Sequence, residues 1–283
     1  MNNTVENSLE PKLVYALVFG FIMALGLPLN AVSLWILLRH HSLKSPTAIF
    51  MVNLAISDLL LVISLPMRIH FYATGTWTLS ATACMLTTML FRNNIRSSAI
   101  FITFISVDRL LAVVYPLRSR HIRTSSNAWK AAAFVWLFVL ILNIPESVNF
   151  MRFLNNNTES TCFEFHHPLG NPLIYFQLVL VLTMLAVNVV STALVSWTLH
   201  RQLSDSARVN NKVNVMLIFV MSLVMFTVCF LPLTIGFLIT GTPAVMPLIC
   251  LTTFNCCLDP LLYYFSLDAF WKKKEDADTA GER

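Results

Sequence analysis

Four arginines of this chain stand in apolar surroundings, where a guanidinium group requires a partner. Arg68, Arg92 and Arg96 lie inside long apolar segments, and Arg109 follows Asp108 at the end of another. A charge inside an apolar helix environment costs about 3 kcal/mol unless it is paired. Because the planar guanidinium fork binds phosphate or carboxylate in a bidentate manner, the first three arginines indicate capture of an anion. The Asp108-Arg109 pair indicates a charge-based switch.

The helical rise of 1.5 Å per residue places these side chains along two neighbouring helices. Arg68 follows Asp58 by ten residues, which corresponds to about 15 Å. Arg96 precedes Arg109 by thirteen residues, or about 20 Å, and Arg92 lies one turn from Arg96 on the same face. We therefore expect the three guanidinium groups to converge, with no acidic residue nearby, and to bind an anionic ligand. The alternative is that Arg68 and Arg92 extend to the lipid headgroups.

A second polar group of residues surrounds Asp58, which lies in the middle of an apolar segment and needs polar company. The candidates are Ser98, Asn255 and Asp259. Two carboxylates with an amide and a hydroxyl form an oxygen-lined pocket that suits a small hard cation, and no other cofactor is predicted. The alternatives are a cluster of interhelical hydrogen bonds worth about 1 kcal/mol each, and a carboxyl group that carries a proton at neutral pH.

The composition determines which elements hold these residues. The chain has 283 residues, of which 57% are hydrophobic and 12% charged, so its apolar surface exceeds what one soluble core could bury. The charges fall between apolar blocks, and the uncharged stretch from Val213 to Leu258 is long enough for two spans of about 20 residues each, separated at Gly241-Thr242-Pro243. With the other blocks, the sequence predicts seven helices. The fold class is therefore an all-α membrane protein, a seven-transmembrane helix bundle.

The predicted parts are an N-terminal segment at 1–12, the bundle at 13–266 and a cytoplasmic helix and tail at 267–283. Phe270 and Trp271 lie among lysines in the stretch from Phe265 to Lys274. This pattern is typical of a short amphipathic helix on the membrane surface.

Lys and Arg mark alternate loops between the apolar blocks. The basic residues of these loops and of the C-terminal segment are Arg39, Lys44, Arg118, Arg120, Arg123, Lys130, Arg201, Arg208, Lys212 and Lys272 to Lys274. The positive-inside rule places these segments in the cytosol. We therefore expect a multi-pass protein of the plasma membrane with an extracellular N-terminus and a cytoplasmic C-terminus. The net charge of +5 then reports topology, and no nucleic-acid partner is expected.

Two of the six cysteines and two glycosylation sequons fall on the predicted outer side. Cys84 opens the third helix and Cys162 lies in the longest outer loop, so a disulfide between them is chemically reasonable in an oxidising compartment. The other cysteines lie within helices and are expected to be small apolar packing residues. The sequons begin at Asn2 and Asn156, and their location agrees with the predicted topology.

Seven motifs in register resemble those of the rhodopsin-like (class A) G-protein-coupled receptors. They are Asn30 in Gly-Leu-Pro-Leu-Asn, Asp58 in Asn-Leu-Ala-Ile-Ser-Asp, Cys84, Asp108-Arg109, Trp136, Cys229-Phe230-Leu231-Pro232 and Asp259-Pro260-Leu261-Leu262-Tyr263. The resemblance runs from the first helix to the segment after the seventh. It implies a receptor that activates a heterotrimeric G protein, and the sequence carries no hydrolase or metalloprotease motif that would indicate an enzyme.

The resemblance implies that the cation beside Asp58, Ser98, Asn255 and Asp259 is a structural sodium ion. It also implies how the switch works. Arg109 is expected to pair with Asp108 in the inactive state and to turn inward when a G protein binds. Pro232 removes a backbone hydrogen bond and kinks the sixth helix, which creates a hinge. Phe230 stands beside this hinge, where many members of the family carry tryptophan.

Further residues of the predicted inner half complete the switch. Pro260 and Tyr263 of the seventh helix are expected to move with it. Leu117 is expected to dock on the G protein, and the alternative is an ordinary loop leucine. Leu110 replaces the usual aromatic residue, and Lys212 offers no second carboxylate to the switch. An orphan receptor with high basal activity is therefore an alternative.

Three segments resemble the receptor branch that recognises nucleotides, lysophospholipids and carboxylic acids. They are Phe-Arg-Asn-Asn-Ile-Arg-Ser-Ser, Leu-Pro-Met-Arg and Asp-Pro-Leu-Leu-Tyr-Tyr-Phe. We favour a lysophospholipid or other acidic lipid, because the fifth to seventh helices offer apolar residues opposite the arginines and no second basic cluster. His70, Tyr72 and Trp77 are expected either to rim the site or to form an aromatic belt at the membrane interface.

The remaining alternatives are a nucleotide or carboxylic-acid receptor and, in a different class, a small membrane transporter. A transporter predicts an internal repeat with broken helices at matching positions, which this sequence does not contain. Because Pro260 follows Pro232 closely, the outer turn between the sixth and seventh helices must be tight. The fifth helix lacks the usual proline, and Met184 lies near its place.

Overall fold

The described backbone is helical almost throughout and contains seven helices long and apolar enough to cross a membrane. In chain order the elements are α1 Asn2–His40, α2 Pro46–Thr74, α3 Ala81–Val114, α4 Pro116–Ser119, α5 Ser125–Asn156, α6 Pro172–Arg201, α7 Val209–Val224, α8 Leu231–Ile239 and α9 Thr242–Gly281. A π-helical turn, Met225–Phe230, joins α7 to α8, so these pieces form the sixth span. The predicted seven-helix bundle is confirmed, and α4 is a single turn between the third and fourth spans.

A computed structural model describes residues 2–40, 43, 45–156, 162–163, 172–201, 209–239 and 242–281. Within these ranges the side chains at 2–11, 40, 156, 172, 209–214, 242–244 and 265–281 are left out of the description. The predicted glycosylation side chains of Asn2 and Asn156 therefore lie outside the described residues. The same is true of the side chains of Lys212, Phe270 and Trp271.

A short turn sets α2 and α3 side by side. α2 ends at Gly75, whose φ of 74° lies in the left-handed region that glycine adopts without strain. The Gly75 N–H closes the helix by donating to the Phe71 carbonyl. α3 begins after Ser80, whose hydroxyl accepts from the Ala83 N–H. This turn fixes the register between the two helices that carry the predicted anchor arginines.

The first span packs closely against the second and seventh. A Cβ atom at Gly26 would lie 3.1 Å from the Cys256 sulfur and 3.3 Å from a Val62 methyl group, so the absence of a side chain allows this approach. Next to it, the Asn30 amide donates to the Cys256 carbonyl at 2.7 Å. The buried Cys256 thus acts as a small packing residue, as its location in an apolar helix predicts.

The fourth span is tied to the second by one polar contact. The Trp136 indole N–H donates to Asn53 Oδ1 at 2.8 Å, and the Asn53 amide donates back to the Ile49 carbonyl of its own helix. Elsewhere the outer faces of the spans carry large exposed apolar side chains. Examples are Leu17, Phe21, Trp35, Ile63, Phe134 and Val179. Such a surface requires a lipid surrounding.

The sixth span is irregular immediately before Pro232, as the predicted kink requires. In the π-helical turn the Leu231 N–H donates to the Phe226 carbonyl, five residues back. The Thr252 hydroxyl of α9 lies within hydrogen-bond distance of two carbonyls, that of Cys229 in the π-helical turn at 2.5 Å and that of Leu248 in its own helix at 2.9 Å. This contact joins the irregular turn to the seventh span.

The connection between the sixth and seventh spans is tight, which confirms the expectation from the proline spacing. α8 ends at Ile239 and α9 begins at Thr242. The two helices also approach closely at Gly236, where an added Cβ atom would lie 2.6 Å from a Leu248 methyl group. α6 has no internal proline, and Met184 is buried in it.

The seventh span is part of a longer helix. α9 continues without a break from Thr242 to Gly281 and includes the stretch from Phe265 to Lys274. The predicted amphipathic helix therefore does not form a separate element, and its lying along the membrane surface stays a prediction.

Candidate functional site

The two ends of the bundle are distinguished by their chemistry. A disulfide joins Cys84, near the start of α3, to Cys162, with the Cα atoms 5.9 Å apart, which confirms the predicted bond. The opposite end holds Asp108 and Arg109, near the end of α3. We call these the disulfide end and the Asp108 end.

A cleft of about 570 Å³, including its open mouth, lies between α3, α5, α6 and α8. Its lining residues are Phe91, Arg92, Ile95, Arg96, Glu146, Leu173, Ile174, Gln177, Thr234 and Phe237. We call it the arginine cleft, because two of the three predicted anchors, Arg92 and Arg96, line it. Half of the lining side chains are apolar. The cleft therefore combines a charged wall with a larger apolar surface.

Arg96 is almost fully buried, and polar groups from α5 and α6 surround its guanidinium. It donates to Asn143 Oδ1, to Glu146 Oε1 at 2.5 Å and to Gln177 Oε1 at 3.2 Å. The expectation that no acidic residue lies near the arginines is therefore wrong. Glu146 comes from the fourth span, 50 residues further along the chain, and the sequence does not show which neighbour it faces.

Arg92 shares the same carboxylate. Its Nε lies 3.6 Å from Glu146 Oε2, and its guanidinium stands over the Phe150 ring at 5.6 Å from the ring centre. The side chains of Arg92 and Glu146 are 11% and 10% exposed, so the ion pairs are screened little by solvent. Two guanidinium groups and one carboxylate leave the cluster with a formal charge of +1.

A narrow crevice continues from the arginine cleft between α5 and α6. It is lined by Arg96, Leu142, Glu146, Leu173, Phe176, Gln177 and Leu180. Four of these residues also line the cleft, so the two spaces are contiguous. Phe176 is 44% exposed on the outer face of the bundle. The crevice therefore leads from the charged cluster toward the lipid-facing surface.

Arg68 does not converge with the other two anchors. It is fully buried in α2, and its guanidinium lies between two rings, 4.2 Å from the centre of Phe91 and 4.3 Å from that of Phe163. Cation–π contacts of this kind are favourable when the cation is desolvated. Neither the snorkelling alternative nor direct lining of the cleft describes this location. The helical rise predicts a depth along α2, but it cannot give the rotation of α2 against α3.

The loop residue Phe163 closes the disulfide end above Arg68. It follows the disulfide cysteine Cys162 and has a φ of 64°, a left-handed conformation that is strained for a bulky side chain. Its buried ring packs edge-on against Phe71 and Trp77, at 5.5 and 5.4 Å between centres. These contacts offset the backbone strain and hold the loop over the arginine.

The other predicted rim residues belong to this aromatic cluster or to the surface. Tyr72 is buried, stacks on Phe19 and directs its hydroxyl to the Met246 sulfur at 3.4 Å. Trp77 is buried and donates to the Ser80 carbonyl. His70 is exposed. None of these side chains lines the arginine cleft among the described residues, which agrees with the alternative expectation of an aromatic belt.

The four predicted cation ligands do lie together in the middle of the bundle. Ser98 and the additional residue Asn94 donate to Asp58 Oδ1 at 3.4 and 2.9 Å. Asn255 donates to Asp259 Oδ2 at 2.8 Å, and the two carboxyl groups are neighbours. The remaining oxygens, Asp58 Oδ2, Asp259 Oδ1 and Asn255 Oδ1, have no hydrogen-bond donor among the described residues. Either a shared proton or a small cation would satisfy such a set of oxygens.

At the Asp108 end, the expected pair between Asp108 and Arg109 is replaced by a different one. Arg123 donates to both carboxylate oxygens of Asp108, at 2.7 and 3.1 Å, and the Thr47 hydroxyl donates as well. The Nε of Arg109 is buried without a hydrogen-bond partner among the described residues. Adjacent residues of a helix point in different directions, so a partner from the following loop competes successfully for the carboxylate.

The other predicted switch residues fall on this half of the molecule. Leu117, on the one-turn α4, is 89% exposed. Tyr263 is buried, and its hydroxyl has no hydrogen-bond partner in the described part of the chain. Pro260 lies within α9, and Phe230 packs against Phe226 with 5.4 Å between ring centres.

These features together define the class of protein. Seven membrane-crossing helices, a disulfide that ties the third span to the segment between the fourth and fifth spans, a buried carboxyl pair and an Asp108-Arg109 motif at the other end of the third span are typical of a seven-transmembrane receptor. The sequence profile of the 7 transmembrane receptor (rhodopsin family) matches residues 29–263. The chain therefore belongs to the rhodopsin family of seven-transmembrane receptors, which sets aside the transporter and enzyme alternatives.

Several relatives within this family are similar to the chain over most of its length. Lysophosphatidic acid receptor 4 of Homo sapiens is 36% identical, with 96% of this chain and 79% of the relative covered. Lysophosphatidic acid receptor 6 of Gallus gallus is 34% identical, with 94% of each covered. A purinoceptor of Gallus gallus is 30% identical, with 90% of this chain and 77% of the relative covered.

Proposed function

We propose that this protein is a receptor for a lysophospholipid with a phosphate headgroup, such as lysophosphatidic acid, and that it activates a heterotrimeric G protein. The observation that carries the proposal is the arginine cleft. Two guanidinium groups stand on one wall with Glu146 between them, and five of the ten lining side chains are apolar. A ligand with an anionic head and a hydrocarbon tail is complementary to both parts. The relatives named as lysophosphatidic acid receptors support the same ligand class.

The headgroup would bind at Arg92 and Arg96. A phosphate monoester carries a charge of about −1.5 to −2 near neutral pH and three strong acceptor oxygens. It can therefore contact two guanidinium groups at once, which a monocarboxylate does less well. The cluster retains a formal charge of +1 even with Glu146 in place, so it attracts such a headgroup.

The tail would extend along the apolar wall and into the crevice between α5 and α6. The crevice starts at Arg96 and reaches the exposed Phe176. A hydrocarbon chain gains about 0.8 kcal/mol for each methylene that leaves water. A nucleotide would need cations for its further phosphates. The groups that α6 and α8 contribute to the cleft are Leu173, Ile174, Gln177, Thr234 and Phe237, none of which is basic.

We infer that the disulfide end is extracellular and that the Asp108 end faces the cytosol and binds the G protein. The distribution of Lys and Arg supports this orientation. The exposed Leu117 is suited to enter an apolar pocket of the partner. Arg109, Pro232, Pro260 and Tyr263 would then couple the arginine cleft to that surface.

The carboxyl pair fits a sodium ion. Asp58 and Asp259 each present one oxygen without a donor, as does Asn255, and Ser98 stands beside them. A bound cation would neutralise charge between the second, third and seventh helices. These residues would hold the two halves of the bundle together by sharing it.

The proposal is tested with purified receptor in nanodiscs of neutral lipid, together with a G protein. Oleoyl lysophosphatidic acid should stimulate nucleotide exchange, whereas ATP and oleic acid should do so weakly. Arg96→Ala should abolish the response with surface expression preserved, because charge-assisted hydrogen bonds contribute about 1.5–3 kcal/mol each. Stimulation by ATP and none by the lipid would favour a nucleotide receptor instead.

A matched control separates the loss of the anchor from a general loss of charge. Arg152 is an exposed arginine in the C-terminal part of α5, the part that also carries the Arg96 partner Glu146. Arg152→Ala should leave the potency of lysophosphatidic acid within about twofold of the wild type, as expected for an exposed charge. An equal loss in both variants would contradict the role assigned to Arg96.

A further inference from the structure

We propose that Glu146 is an internal counter-anion, which occupies the two cleft arginines before a ligand arrives and competes with the ligand's anionic head. This proposal rests on the proposed function and extends it. Glu146, a residue of the fourth span, then determines how strongly the affinity of the cleft depends on the charge of the ligand.

The contacts of Glu146 carry the proposal. Its two carboxylate oxygens are divided between the two arginines, with Oε1 at 2.5 Å from an Arg96 nitrogen and Oε2 at 3.6 Å from Arg92 Nε. No side chain of the three is more than 11% exposed. Glu146 also lines both the arginine cleft and the crevice. It therefore takes the place that a carboxylate or phosphate of a ligand would take.

The surrounding hydrogen bonds make the occupied state stable in the absence of ligand. Arg96 is held by Asn143 and Gln177 as well, and the Asn143 amide donates to Asn93 Oδ1 at 3.4 Å. Two buried guanidinium groups without a carboxylate would repel each other in a medium of low dielectric constant. Glu146 relieves that repulsion. It therefore keeps the Arg92 and Arg96 guanidinium groups in position and lowers the positive electrostatic potential that they produce in the cleft.

An incoming anion meets Glu146 as a neighbour. Displacement of the carboxylate would leave Glu146 buried without its partners, which is strongly unfavourable, so the headgroup binds beside it. The two anions then repel in proportion to the charge of the ligand. The carboxylate therefore weakens anion binding, and it weakens the binding of a doubly charged head more than that of a singly charged one.

The test compares three lipids with the same acyl chain, bound to the full-length receptor in neutral nanodiscs. They are lysophosphatidic acid, its phosphate methyl ester, which is singly charged, and zwitterionic lysophosphatidylcholine. Glu146→Gln should tighten the binding of lysophosphatidic acid by about tenfold, as removal of one buried like charge predicts. The gain should be smaller for the methyl ester and absent for lysophosphatidylcholine. A gain that is equal for the three lipids, or a loss for lysophosphatidic acid, would overturn the proposal.

A second variant provides the opposite change at the same arginine. Gln177 contacts Arg96 as a neutral acceptor at 3.2 Å, so Gln177→Glu adds a carboxylate where Glu146→Gln removes one. It should weaken lysophosphatidic acid binding, and the double variant should return close to the wild type. This variant keeps the proposal testable if Glu146→Gln does not fold. Unchanged affinity in Gln177→Glu would then count against it.

The result also separates this inference from the function on which it rests. If lysophosphatidic acid binds neither the wild type nor the variants, the proposed ligand class is wrong and the inference fails with it. If it binds the wild type and Glu146→Gln gives no charge-dependent gain, only the role of Glu146 is wrong.

Discussion

Asp108 is held by donors from two separate segments, and this leaves its neighbour Arg109 without that carboxylate. Arg123 binds Asp108 through two nitrogens, and Thr47 adds a hydroxyl. The Arg123 side chain is 23% exposed and that of Asp108 is 5% exposed, so the pair lies at the boundary of the bundle. At the scale of single residues, the state of the switch therefore depends on a loop arginine that can be removed without disturbing the core.

Arg123→Gln should lower the basal activity of the receptor. Without Arg123, the Asp108 carboxylate can form an ion pair with Arg109. That ion pair is the one expected in the inactive receptor. We expect nucleotide exchange without agonist to fall by about threefold, the scale of a partly exposed ion pair. The measurement is exchange on purified G protein, normalised to receptor number. Arg120→Gln, at an exposed position of the same loop, serves as the control and should change nothing. A rise in basal exchange would contradict the assignment.

Some of the residue-level chemistry follows from the sequence, and some does not. The predicted cation ligands Asp58, Ser98, Asn255 and Asp259 lie together, because polar residues in the middle of apolar spans are stabilised by turning toward each other and away from lipid. Glu146 and Arg123 could not be assigned in this way. Their partners lie on other helices. The rotation of each helix and the path of each loop decide which residues pair, and a single sequence does not show either.

The sixth span shows how an element departs from regular geometry for a local reason. Pro232 lacks an N–H, and the turn before it widens from α to π. The Cys229 carbonyl in this turn also accepts a hydrogen bond from Thr252 of α9. The proline predicts that an irregularity occurs here, whereas its π-helical form and its partner on another span depend on packing.

Thr252→Val should destabilise the receptor, because it removes the donor to the Cys229 carbonyl while conserving the shape of the side chain. The same hydroxyl also lies 2.9 Å from the Leu248 carbonyl of its own helix. The expected cost is about 1 kcal/mol, as for one intramolecular hydrogen bond. Thermal unfolding in detergent measures it, and Thr252→Ser should restore most of the loss. Thr253 is equally buried, but its hydroxyl donates to Ile249 in its own helix. Thr253→Val is therefore the matched control, and a similar loss there would show that the interhelical bond is not the cause.

At the scale of the whole molecule, two charged clusters lie along the axis of the bundle between its ends. The arginine cleft has a formal charge of +1, and the carboxyl pair further along is negative when both groups are ionised. A cation shared by Asp58 and Asp259 would oppose any rearrangement that separates the second helix from the seventh. Ligand binding and cation binding should then be coupled in opposite directions.

Sodium should therefore lower the affinity for lysophosphatidic acid. Replacing sodium chloride by N-methylglucamine chloride at constant ionic strength should tighten lipid binding in the wild type, because the cation stabilises the resting arrangement. Asp58→Asn removes one carboxylate and should abolish the difference between the two salts. Binding isotherms in nanodiscs give the result. An equal salt effect in both proteins would exclude this site.

The short connection between the sixth and seventh spans has a practical consequence for reagents that recognise the intact receptor. α8 ends at Ile239 and α9 begins at Thr242, so only two residues separate the two helices. Antibodies against the disulfide end are therefore better directed at the turn after Gly75 and at Cys162 and Phe163 than at this connection. The Phe163 ring packs over the Arg68 guanidinium. An antibody that binds Phe163 would therefore distinguish receptor conformations that differ in this contact.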